Sequence, residues 1–314
     1  MNSATEVPYD TLSEAPLGEE FLAFMNQRGE DAGRHPEIQD WLETEFETKR
    51  ERLLASFALI STGCWNRGKS DVHVAGHIVE QLDTIHHIQN SNLQNQLATD
   101  IQKKLEDIDS SVSRWDWLHN HRKSIHFQLS QDDAGRAVVD SLIGLADVVG
   151  SYDDVSEYVE AKIHEEYDPF YSVFSDTESL DEFSRLSAFD FLEIANTAGR
   201  VTDITPQEPR FEYVQNNNPR PGFLYVFLAR WPEDNSVEKM DWNKAKQQLG
   251  VDEDGLDKLV KLLCREAQNR LAWSEELVMY DVESCLCIFA KDANNRRLSL
   301  KDENSDNSSI GSGC

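Results

Sequence analysis

The sequence predicts a mainly α protein, an N-terminal helical bundle followed by a smaller α+β domain. Between about residues 35 and 200, apolar residues recur every three or four positions in segment after segment, the period of one helix face. Near Pro206 the texture changes to turns rich in proline and asparagine (ITPQEP, QNNNPRPG) around short apolar runs of strand type. With 314 residues, 39% of them hydrophobic and 28% charged, the chain has the length and composition for one large or two ordinary folded domains.

Residues 1–17 are polar and aperiodic and are expected to be disordered, as is the tail 292–314, with its small polar residues (SDNSSIGSGC). The bundle, residues 18–200, begins its periodic part at His35-Pro36, where proline suits a first helical turn. Ile38, Trp41, Leu42, Phe46, Leu53, Phe57 and Ile60 then predict one helix of about 25 residues. Ser70 and Asp71 are good caps for a second, with Val72, Ala75, Ile78, Val79, Leu82 and Ile85 on one face. Leu93, Leu97, Ile101, Leu105, Ile108, Val112 and Trp115 mark a third without interruption. Ala134, Val138, Leu142, Leu145 and Val149 mark the fourth, and Val155, Tyr158, Val159 and Ile163 the fifth. The sixth ends at Gly199 after LDEFSRLSAFDFLEIANTA.

Residues 205–291 form the second predicted domain. RFEYV and FLYVFLARW read as a β-hairpin, and DWNKAKQQLGVDEDGLDKLVKLLCREAQNRL as two helices around a Leu-Gly-Val turn. WSEELVMYDVESCLCIFAKD reads as a second hairpin. Helix, turn, helix and hairpin in that order resemble a winged helix-turn-helix module, with Ala245, Leu249, Val251, Leu256, Val260 and Leu263 as its inward face. The resemblance implies that Lys258, Lys261, Arg265 and Arg270 face partly outward as a partner-binding row, diluted by Asp252, Glu253, Asp254, Asp257 and Glu266.

Thirty basic residues face 58 acidic ones, a net charge of -28. Nucleic acid is bound largely by neutralising its phosphates, so this balance disfavours it and points to a basic or protein partner. Five cysteines without a repeated spacing suit free thiols in a reducing cytoplasm. No apolar run approaches the roughly 18 residues of a membrane span, so no membrane is expected.

Three motifs carry possible chemistry. Gly63, Gly68, Lys69 and Ser70, in GCWNRGKS, match the phosphate loop, whose backbone N–H groups surround phosphates while Lys reaches the terminal ones and Ser holds the metal. That loop must follow a strand. The preceding LLASFALIS is apolar enough for one but also continues a helical period, which makes Gly63 a helix C-cap. Seven of nine histidines fall between 73 and 126, with His73 and His77 one helical turn apart, but no metal-binding signature accompanies them and no metal or cofactor is expected. WLHNHRKSIHFQL resembles the Arg-to-His motif of the HEPN ribonucleases, in which the pair would hold and cleave an RNA phosphodiester. Arg122 and His126 are the matching pair, one residue closer than the family's usual separation, which Arg114 and His119 meet. The leading expectation is an interaction or regulatory protein, because it requires no further parts. The alternatives are a nucleotide-binding protein and a HEPN-like ribonuclease.

Overall fold

The computed structural model describes residues 8–29, 36–62, 72–111, 134–165, 168–180, 183, 185–197, 204–215, 219–228 and 242–290. All regular structure among them is helical. The chain divides into two compact units, one made of Met1–Gly33 with Glu208–Cys314 and the other of Arg34–Gln207.

The Arg34–Gln207 unit contains α2 (Pro36–Glu45), α3 (Lys49–Thr62), α4 (Val72–Gln81), α5 (Ser91–Ser111), α6 (Ala134–Val149), α7 (Val155–Glu165), α8 (Pro169–Glu178) and α9 (Arg185–Thr197), with a 3-10 turn at Ile85–Gln89. Helix α3 is central, packing against α2, α4, α6, α7 and α9. From Leu53 to Thr62 every one of its residues is buried, a helix apolar enough to be enclosed on all sides. Phe57 stacks on Phe183 with centroids 4.7 Å apart and meets Phe191 edge-on at 5.6 Å.

The single long first helix of the sequence reading is two helices, broken at Phe46–Thr48. The cause is a reciprocal cap. Thr48 Oγ1 accepts from Glu51 N at 3.2 Å while Glu51 Oε2 accepts from Thr48 N at 3.0 Å, so Thr48 starts a new helix although the apolar spacing runs on. Helix α8 was not expected at all. Asp168 accepts from Tyr171 N at 3.0 Å and Pro169 takes the first helical position, a start signal present in the sequence.

The other unit contains α1 (Gly18–Arg28), α10 (Phe211–Val214), α11 (Pro219–Leu228), α12 (Trp242–Leu249), α13 (Glu253–Leu271) and α14 (residues 278–290). Its N-terminal part corrects the expected disorder of residues 1–17 over 8–17, which are packed. Leu12 is fully buried, Tyr9 stacks on Phe227 and donates its hydroxyl to the Phe227 carbonyl at 3.0 Å, and Leu17 N donates to Val226 O at 3.0 Å. Helix α1, assigned above to the bundle, packs here instead, with Phe21 and Phe24 against Phe289 at 5.2 and 5.4 Å.

The winged-helix expectation fails at its strands, and with it the α+β label for this domain. RFEYV lies at α10, FLYVFLARW opens inside α11, and the second expected hairpin holds α14, with no strand among the described residues. Buried runs such as FLYVFL have no polar face, so their periodicity cannot separate strand from helix. Pro219, a turn signal by composition, instead starts α11, because proline is tolerated in a first helical turn. The expected pair of helices does form. Gly250, at φ 71°, makes the turn between α12 and α13, and Ala245, Leu249, Val251, Leu256, Val260 and Leu263 are all buried.

Candidate functional site

Helix α13 begins where Asp252 accepts from Gly255 N at 2.9 Å and runs with Leu256, Leu259, Val260, Leu263 and Ala267 buried. At about 100° per residue, Lys258, Lys261 and Arg265 lie within roughly 60° of one another, and Arg270 is about 140° beyond Arg265. The structure thus brings three of the four candidate cations onto one line. Each is taken by the chain itself. Lys258 pairs with Asp254 at 2.7 Å, and Lys261 with Glu208 at 2.9 Å. Arg265 donates to the Asp10 carbonyl at 2.5 Å, and Arg270 grips Glu19 at 2.8 and 3.1 Å.

The hydrogen bonds from Arg270, helped by the Ser13 hydroxyl, hold the Glu19 carboxyl down to about 2. A depressed carboxylate contributes stability that is complete above the ordinary glutamate range and is lost as pH falls through the folded value. The window for this contact is therefore from the ordinary range down to about pH 2. A titration of the Glu19 side-chain carboxyl by NMR is expected to give a midpoint near that value in the native protein and an ordinary one in Arg270→Ala. An ordinary midpoint in both would show that the clasp does not form in solution.

A cleft of about 550 Å³ opens in the Arg34–Gln207 unit, lined by residues of α2 to α5 and of the turns after α2 and α4. The elbow at Thr48 helps create it, because the break between α2 and α3 sets Trp41, Glu45 and Phe46 beside Arg50 and Glu51. Trp41 and the buried Phe46 meet edge-on at 5.1 Å. Gly76, His77, Val79 and Glu80 of α4, with Leu82 and Asp83, form another part of the lining, and Lys104 of α5 completes it. Arg50 donates to the carbonyls of Leu82 and Asp83 at 3.2 and 2.5 Å. Hydrogen bonds from the Thr48 backbone and hydroxyl lower the Glu51 carboxyl below its usual range. His77 Nε2 is shut off from solvent without a hydrogen bond, 3.7 Å from Asp100 Oδ2. The sequence analysis names none of the acidic or aromatic members of this cleft as a site and passes over the Thr48-x-x-Glu51 capping pattern, the local signal that marks the elbow.

The residues of the other motifs lie largely outside the described residues. Gly63, Gly68, Lys69 and Ser70 do so, as do Arg114, His119, His121, Arg122 and His126. What is described around the phosphate-loop match is helix on both sides. Residues 53–62 belong to α3 where that loop needs a strand, and α4 follows. His86 lies 2.7 Å from the Tyr152 carbonyl and His87 3.8 Å from Asp83. Among the described residues no group of three or more histidines, cysteines and acids is placed to hold a metal. Cys264, Cys285 and Cys287 are free and buried, and burial, reinforced by the Asp281 charge, pushes the Cys285 thiol up to about 12, far from a nucleophile's range. No helix among the described residues is long and apolar enough to cross a membrane.

Comparison with the models of known protein families, with curated proteins and with solved structures finds no match.

Proposed function

We propose that this is an interaction or regulatory protein of the cytoplasm whose partner is a protein with a basic surface or segment. One observation carries the reading. The cationic row on α13, the chain's best candidate for attracting an acidic partner, is engaged by the carboxylates of Asp254, Glu208 and Glu19 and by the Asp10 carbonyl, with Glu266 3.9 Å from Arg265. Positive charge is spent internally, while the chain as a whole retains a charge of -28. A field of that sign speeds the encounter with basic surfaces and repels phosphate backbones. Docking of an acidic partner on Lys258, Lys261, Arg265 and Arg270 would have to displace these contacts first, which ranks it second.

The test is a titration of the full chain with an arginine- and lysine-rich peptide and, separately, with duplex DNA, each at two salt concentrations. The expected result is saturable, salt-weakened binding of the peptide, and DNA binding weaker than the roughly 10⁻⁴ to 10⁻⁶ M usual for non-specific complexes. Micromolar DNA binding that falls steeply with salt and disappears in Lys261→Glu would move the interface to α13 and make its partner a phosphate backbone.

A further inference from the structure

We infer that the cleft of the Arg34–Gln207 unit is a binding site for an organic cation, the guanidinium or ammonium group of a basic side chain or of a free polyamine. The inference rests on the reading of a basic partner and says where that partner's leading charge goes. At about 550 Å³ the cleft is the size of ordinary ligand pockets, large enough for a long side chain and its charged head. Four carboxylates line it, Glu45, Glu51, Glu80 and Asp83, against two permanent cations, Arg50 and Lys104.

The members of the lining differ in what they have left to offer. Arg50 is committed to the carbonyls of Leu82 and Asp83 and lies 3.8 Å from Glu51, so its guanidinium closes the elbow between α3 and the end of α4. An anion entering the cleft would meet an arginine whose Nη1 donates to two carbonyls and whose Nη2 already faces a carboxylate. Glu51 is held by Thr48. Glu45 and Glu80, by contrast, are exposed and make no hydrogen bond or ion pair among the described residues. They belong to different helices, α2 and α4, yet line one cleft, so an incoming cation has uncompensated carboxylates from two elements within the same space.

The aromatic wall makes this more than a patch of acid. Trp41 is half-buried and in edge-on contact with Phe46, which limits its motion. Trp is the strongest side-chain partner for a cation over its face, and the contact strengthens as water is excluded. Arginine suits such a site best, because its flat guanidinium stacks on a ring while its edges donate to carboxylates.

The experiment is calorimetric titration of the full chain at fixed salt with two probes, an arginine-containing peptide amide and spermidine, for the native protein, Trp41→Leu, Glu45→Gln with Glu80→Gln, and a control pair, Glu275→Gln with Glu276→Gln. The control residues are exposed acids of the other unit, so the control pair changes the net charge as much as the cleft pair does. The expected result is one saturable site, weakened about fivefold or more by Trp41→Leu and by the cleft pair, and unchanged by the control, with circular dichroism the same throughout. Tighter binding of the peptide identifies a protein side chain as the source of the cation. Tighter binding of spermidine identifies a free polyamine, which sustains the cleft and removes the support for a basic protein partner. Peptide binding that ignores the cleft variants, or that the control pair weakens equally, overturns the cleft and leaves the basic-partner reading standing. Absence of binding by both probes overturns the cleft, and absence of binding by the arginine- and lysine-rich peptide of the previous titration overturns the basic-partner reading.

Discussion

Phe57→Ala is expected to lower the stability of the Arg34–Gln207 unit by about 3 to 5 kcal/mol, the range for deleting a fully buried phenyl ring. Phe57 is completely buried in the middle of α3. Its ring lies nearly parallel to that of Phe183, with 16° between the planes, and nearly perpendicular to that of Phe191, at 83°. Truncation therefore removes the transfer energy of the ring and two aromatic contacts, each of which adds about 0.5 to 1.5 kcal/mol beyond area. The neighbours cannot refill the space easily, because Leu53, Leu54, Leu59 and Ile60 on the same helix are themselves buried. Chemical unfolding followed by circular dichroism measures the loss, and hydrogen exchange of the α3 amides assigns it to this unit. A loss below about 1 kcal/mol would mean that α3 is not the centre of the packing.

Gly222→Ala is expected to destabilise the other unit by about 3 kcal/mol, against the direction of helix propensity. In an open helix the same change is worth up to about 1 kcal/mol of stabilisation. Gly222 is buried in α11 where that helix crosses α14 backbone to backbone. A Cβ at this position would lie 2.0 Å from the carbonyl oxygen of Leu286 and 2.7 Å from its carbon. Those are main-chain atoms, which no rotamer change moves aside, so the two helices must separate and loosen Phe223, Tyr225 and Phe227 around them. Gly76→Ala on α4 is the matched control, since nothing lies within 4 Å of a Cβ there, and it should stabilise slightly. Thermal unfolding of the two variants is expected to shift in opposite directions; shifts of the same sign would show that α11 and α14 do not approach this closely.

The helices that the sequence made legible are those with one apolar face. Helix α5 shows its period from Leu93 onward, and α6 and α7 behave alike, because a surface helix must alternate apolar and polar residues every turn. The pair α12 and α13 was legible for the same reason, with Gly250 as punctuation. Illegible were the helices enclosed on all sides. FLYVFL has no polar face, and in VMYDVESCLCIFA the polar residues Asp281, Glu283 and Ser284 are buried like the apolar ones, so in neither does the polar pattern report the period. The phosphate-loop pattern spans eight residues, yet it requires a strand before it, and LLASFALIS is helical because the rest of its unit packs around it.

By itself the sequence determined that the protein is mainly helical, that α12 turns into α13 at Gly250, that Cys264, Cys285 and Cys287 are free thiols, and that the chain carries a charge of -28. Only the tertiary structure decided that residues 8–29 fold with 208–290, that the cations of α13 are held by acids and carbonyls as far away in sequence as Asp10 and Glu19, and that Trp41, Glu45, Glu80 and Lys104 share a cleft. Each of those facts joins residues that are neighbours in space across long stretches of chain. Periodicity reports which side of a helix avoids water, and it does not record which other helix supplies the cover or the counter-charge.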